Sequence, residues 1–108
     1  MSESSKWSVV FTKYAAKDLK KLREPVLSHV HVALEKVSAN PLPITEGGYG
    51  KPLGNRRSYD LTGLLKVKLR SDGVRIVYRL ERVDREMIVI VIGIRDDDAV
   101  YKEAARRI

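Results

Sequence analysis

A chain of 108 residues is bounded to one domain with a modest core. Its 21 Lys and Arg against 14 Asp and Glu leave a net charge of +7, which favours nucleic acid, an acidic protein or an anionic membrane surface as partner and says nothing about fold. The lack of Cys excludes disulfides and thiolate metal sites, and no apolar run approaches the roughly 18–20 residues that span a bilayer.

Residues 1–5 carry no signal-peptide pattern and read as a disordered tail, so a cytoplasmic location is expected. Residues 6–12 read as a strand with Trp7, Val9 and Phe11 on one face, and Thr12 suits a helix N-cap. A helix follows from about Lys13 to Arg23, with Ala15, Leu19 and Leu22 at helical spacing. Pro25 opens a second helix running to Ser38, which buries Val26, Val30, Ala33, Leu34 and Val37. Residues 39–57 hold three Pro and four Gly and read as one long loop.

Arg56–Leu61 reads as a short strand and Thr62-Gly63 as a turn into a hairpin. That hairpin is the sharpest signal in the chain: Leu64–Arg70 and Val74–Leu80 alternate polar and apolar residues around Asp72-Gly73. Residues 86–93 are apolar at nearly every position, as in a central strand covered on both faces. Asp96, Asp97 and Asp98 followed by Arg106-Arg107 fit the two ends of a C-terminal helix. The order β-α-α-β-β-β-β-α predicts an α+β domain: an N-terminal strand and αα-hairpin packed on an antiparallel sheet of about four to five strands, with a short C-terminal helix. The helices gather on one side and leave a sheet face for ligand.

If Asp72-Gly73 is a two-residue loop, Arg70 faces Arg75, Lys68 faces Val77 and Lys66 faces Arg79. Five cations then share one face, and like charges opposite each other destabilise a sheet. A polyanion relieves that repulsion, although alternating Lys and apolar residues also describe any half-solvated or edge strand. Crowding by Arg70, Arg75 and Arg79 is expected to lower the pKa of Lys66 and Lys68 and so favour a proton-accepting role. The Arg forks suit the charge of a pentacoordinate phosphate. RNA could then be cut by its own 2′-hydroxyl, with no metal or cofactor. His29 and His31, two apart on a helix, do not face the same way, so no metal site is expected. The Asp96–Asp98 run reads as a helix cap.

Together these segments resemble the RelE branch of the RelE/ParE toxin superfamily, over nearly the whole chain from Trp7 to Ile108. The weight lies in Leu65–Tyr78, in Val91-Ile92-Gly93-Ile94-Arg95 and in Val100-Tyr101. The resemblance implies a single RelE-like toxin domain over residues 1–108 that enters the ribosomal A site and cleaves mRNA there, leaving a cyclic phosphate. Its implied partners are a cognate antitoxin, the ribosome with its rRNA, and mRNA, and no membrane. Carried over, Lys66 and Lys68 become candidates for base and charge stabiliser, and Arg75 the transition-state stabiliser. Arg95 becomes a phosphate contact or proton donor, and Tyr101 orients or stacks on the substrate. Arg70 and Arg79 are added as phosphate contacts from the hairpin reading.

Asp96–Asp98 depart from the family's more basic pattern and put the geometry of Arg95 and Tyr101 in question. Two rivals follow: a non-enzymatic gyrase-poisoning toxin of the ParE branch, and a decayed toxin that only binds its antitoxin.

Overall fold

The computed structural model describes residues 6–56, 59–94 and 96–108. Five strands form one sheet: β1 (Ser8–Phe11), β2 (Lys51–Arg56), β3 (Tyr59–Leu69), β4 (Val74–Glu81) and β5 (Glu86–Gly93), in the order β1-β5-β4-β3-β2. Three helices accompany them: α1 (Lys13–Lys20), α2 (Val26–Ser38) and α3 (Asp97–Arg107). The α+β class and the order of strand and helix types match the expectation, but the expected strand Arg56–Leu61 is not a separate element: Arg56 ends β2, and residues 59–61 open β3. β1 runs parallel to β5, so the sheet is mixed. The helices lie on both faces, α1 and α2 against one and α3 against the other.

Each face has its own core. Ala15, Val30, Leu34 and Val37 of the first two helices pack on Leu65, Ile76, Tyr78, Met87 and Val89. On the opposite face Val100, Tyr101 and Ala104 pack on Leu61, Leu64, Val77, Ile90 and Val91. β5 answers both layers, and every residue from Met87 to Ile92 is buried, which explains its unbroken apolar sequence. Thr12 caps α1 as read, its hydroxyl accepting from the Ala15 amide at 3.1 Å. α1 stops at Lys20, three residues short of the expected end.

Residues 39–57 are not all loop. They hold a short 3₁₀ turn (Ile44–Glu46) and β2, a strand at the edge of the sheet, where a proline such as Pro52 is admitted. The Tyr78 hydroxyl, deep under this segment, donates to the Pro41 carbonyl at 2.8 Å and ties it to the sheet. Burial pushes that phenol well above its ordinary pKa. Gly48 is required by close approach: a Cβ there would lie 2.0 Å from the Leu42 carbonyl oxygen. Thr62-Gly63 is no turn either. β3 runs straight through it, and four residue steps from Leu61 to Leu65 face the two from Gly54 to Pro52 across a bulge.

At 11 residues α3 is too short to stand alone. Burying Val100 contributes about 1.5–3 kcal/mol, and Arg107 fixes the far end. Its guanidinium donates to Asp18 on α1 at 2.8 Å and to the Ile90 carbonyl at 2.7 Å, while the same carboxylate accepts the Ile92 amide at 3.0 Å. β1 reaches only as far as Val89 along β5. Beyond it, the Asp18–Arg107 pair answers the backbone groups of β5 that a neighbouring strand would otherwise hold.

Candidate active site

The hairpin pairs in a different register from the one expected. β3 ends at Leu69, residues 70–73 form the turn, and Lys68 faces Arg75, Lys66 faces Val77 and Leu64 faces Arg79. The slip is by two residues, so every side chain keeps its expected face. Lys66, Lys68 and Arg75 still share one side, and β2 adds Lys51 directly across from Lys66. Two like-charged cross-strand pairs, Lys68 with Arg75 and Lys51 with Lys66, therefore stand side by side on three adjacent strands.

α3 closes over this patch. Asp97, Val100, Tyr101 and Ala104 recur at the spacing that lines one helix face, so the stripe that buries Val100 also turns Asp97 and Tyr101 onto the cations. The Lys66 ammonium, 8% exposed as a residue, donates to the Tyr101 hydroxyl at 2.6 Å and lies 3.4 Å from Asp97. Arg75 donates through Nε to the other Asp97 oxygen at 2.8 Å and through Nη1 to the Gly73 carbonyl at 2.7 Å. Lys68 is exposed beside them.

Asp97 is thus the bridge between a buried lysine and a half-buried arginine. The hydrogen bond from Arg75 holds its carboxyl below the usual carboxylate range; burial opposes this, and the charges of Lys66, Lys68 and Arg75 each add a smaller push downward. A depressed value means its stabilisation is complete above the ordinary value of 3.8 and is lost only as acid titrates it below that. At neutral pH the bridge is intact.

Chemically, the cluster offers fixed donors and positive charge around one point, aimed by two rigid elements. That suits an anion, and a phosphate in particular, since Arg and Lys donors at such distances stabilise charge that develops on oxygen.

No protein-family model matches the sequence. A segment of 45 residues, 40% of the chain, is 44% identical to the mRNA interferase toxin RelE of Escherichia coli (strain K12). The match spans 45% of that relative, less than half its length. The folds agree much more widely. A mutant of the E. coli RelE toxin in the free state matches with a TM-score of 0.70 and 27% identity, over 95% of this chain and 98% of that one. A chain of the RelBE2 toxin–antitoxin complex of Mycobacterium tuberculosis matches at 0.65 and 28%, over 83% and 99%. In fold, and over this segment of sequence, the chain is RelE-like.

Of the site residues expected for a RelE-type chain, Lys66, Lys68, Arg75 and Tyr101 converge. Arg95 lies outside the described residues. Arg70 is exposed in the turn after β3 rather than paired with Arg75. Arg79, exposed opposite Leu64, lies four residues along β4 from Arg75, about 13 Å at strand spacing, and is outside the cluster. The cations around Lys66 are thus Lys51, Lys68 and Arg75 rather than the expected set with Arg70 and Arg79, and Tyr101 and Asp97 stand against its ammonium. At 7% exposure Tyr101 presents no ring face for a base; its hydroxyl holds the lysine instead.

Two residues of the cluster are not found by the sequence reading. Lys51 was hidden in the Gly/Pro segment. Asp97 was absorbed into the cap, a role that Asp96 alone fills by accepting the Ala99 amide at 2.9 Å. Counting back four and three places from Tyr101 and Val100 along the apolar stripe lands on Asp97 and would have found it.

Proposed function

We propose that the protein is the toxin of a toxin–antitoxin pair and an endoribonuclease that cuts mRNA in the ribosomal A site. The observation that carries this is the convergence of Lys66, Arg75 and Tyr101, from two strands and a helix, on one point. In the reaction the 2′-oxygen attacks the adjacent phosphorus, a P–O bond forms to give the cyclic phosphate, and the bond to the 5′-oxygen breaks. The hydroxyl proton passes to Lys68 in its neutral amine form, and a proton is returned to the departing 5′-oxygen, the role offered to Arg95. Arg75 and Lys66 balance the charge that grows on the phosphate oxygens, and Tyr101 keeps the Lys66 ammonium in place. No step calls on a metal or cofactor.

The partners follow the same reading. The M. tuberculosis relative is found in a toxin–antitoxin complex, and we assign this chain a cognate antitoxin, with ribosome and mRNA as its targets. It is expected to act in the cytoplasm; among the described residues no helix is long and apolar enough to cross a membrane. Induced expression tests the reading. Amino-acid incorporation should fall before DNA synthesis does. DNA-damage signalling with translation intact would instead favour a ParE-like poison of gyrase.

A further inference from the structure

We infer that Asp97 is a specificity residue: its carboxylate occupies the anion position of the Lys66–Arg75 cradle, so that a substrate phosphate must displace it to bind. This rests on reading the cluster as a phosphate site, and it goes beyond that reading by giving the site its own internal competitor.

The geometry supplies the reason. One oxygen of Asp97 takes the Arg75 Nε proton at 2.8 Å and the other faces Lys66 Nζ at 3.4 Å. Nε is half of the guanidinium's side-on fork, the edge that grips phosphate or carboxylate through two parallel bonds. While Asp97 holds it, an incoming phosphate cannot use that edge. The two like-charged cross-strand pairs explain why a carboxylate is seated there at all, since three strands bring Lys51, Lys66, Lys68 and Arg75 to one face.

Displacement requires no unfolding. The Asp97 side chain is 40% exposed, and Asp96, not Asp97, caps α3, so a change of side-chain rotamer frees the cradle while the helix stays seated on Val100 and Ala104. An isolated phosphate group then competes poorly, having to repel or replace a resident charge. A strand held in place by other contacts meets the same barrier at high effective concentration. Asp97 would thereby discriminate against free phosphates and loose RNA in favour of a positioned substrate.

The test is titration of the purified protein with inorganic phosphate, followed through the side-chain NMR resonances of Arg75 and Lys66. Asp97→Asn keeps the shape and removes the charge, and is expected to bind phosphate about tenfold more tightly. Asp97→Glu should return the affinity toward wild type, which a loss of packing would not do. Equal or weaker binding by Asp97→Asn overturns the inference. So does a KM for cleavage unchanged beside a fallen kcat, the sign of a residue that only positions Arg75. In the wild-type protein, saturating phosphate should shift the Asp97 carboxyl resonance as it leaves Arg75; bound phosphate with that resonance unmoved overturns the inference without any variant. Tighter phosphate binding by Asp97→Asn with no mRNA cleavage by either protein keeps the inference and removes the nuclease reading. Cleavage by wild type with unaltered phosphate affinity in the variant does the reverse.

Discussion

Arg75→Ala is expected to lower ribosome-dependent mRNA cleavage by about 10²–10³-fold, the loss typical of removing one preorganised donor from a developing oxyanion. The fold should survive. Arg75 contributes one ion pair, with a carboxylate that is 40% exposed, and one bond to the Gly73 carbonyl, together about 1 kcal/mol. Its backbone stays paired between Lys68 and Gly93. Arg75→Lys keeps the charge without the fork and should fall between the two. Cleavage rates from end-labelled message, read beside thermal unfolding, check this. A folded Ala variant that cleaves at the wild-type rate would remove Arg75 from the mechanism.

The second large effect lies at the other end of α3. Arg107→Ala leaves the Asp18 carboxylate, its side chain 13% exposed, without its counter-charge, and leaves the Ile90 carbonyl without a donor. Breaking a largely buried pair from one side costs about 3 kcal/mol or more. For a chain of 108 residues that is a fall of about 10–15 °C in unfolding midpoint. Asp18→Ala should cost somewhat less, because it strips the Ile92 amide of its acceptor but leaves Arg107 its bonds to Glu103 and the Ile90 carbonyl. The double variant should cost less than the two losses added, since they report one interaction. A midpoint within a few degrees of wild type would mean that water answers these groups and that α3 is held by its apolar stripe alone.

How legible was all this in the sequence? The faces of the hairpin were, because strand alternation survives a two-residue slip of register: Lys66, Lys68 and Arg75 fell on the right side even with the wrong partners. The register itself was not legible, since Asp72-Gly73 suggested a two-residue loop where the chain uses residues 70–73. β2 was masked by Pro52 and Gly54, residues that argue against an interior strand but are admitted at an edge. The parallel pairing of β1 with β5 depends on how the αα-hairpin crosses the sheet, which local pattern does not encode.

At the site the reading was half complete. The cations announced themselves by charge and alternation. Their partner did not, because three consecutive acids before a helix have a sufficient local explanation in capping and the helix dipole. Only the tertiary placement of α3 separates Asp96, which caps, from Asp97, which crosses to Lys66 and Arg75. The acidic run read as a departure from a basic family pattern thus includes the counter-ion of the cluster itself.

The central claim is that the Lys66–Arg75–Tyr101 cluster cuts mRNA on the ribosome. The most direct test is end-mapping of a defined mRNA incubated with purified protein, with and without ribosomes paused on that message. The account predicts cuts at the A-site codon only when ribosomes are present, each leaving a cyclic phosphate, and their loss in Arg75→Ala. Folded protein that leaves the message intact under both conditions would contradict it, and the basic face would then be a docking surface rather than an active site.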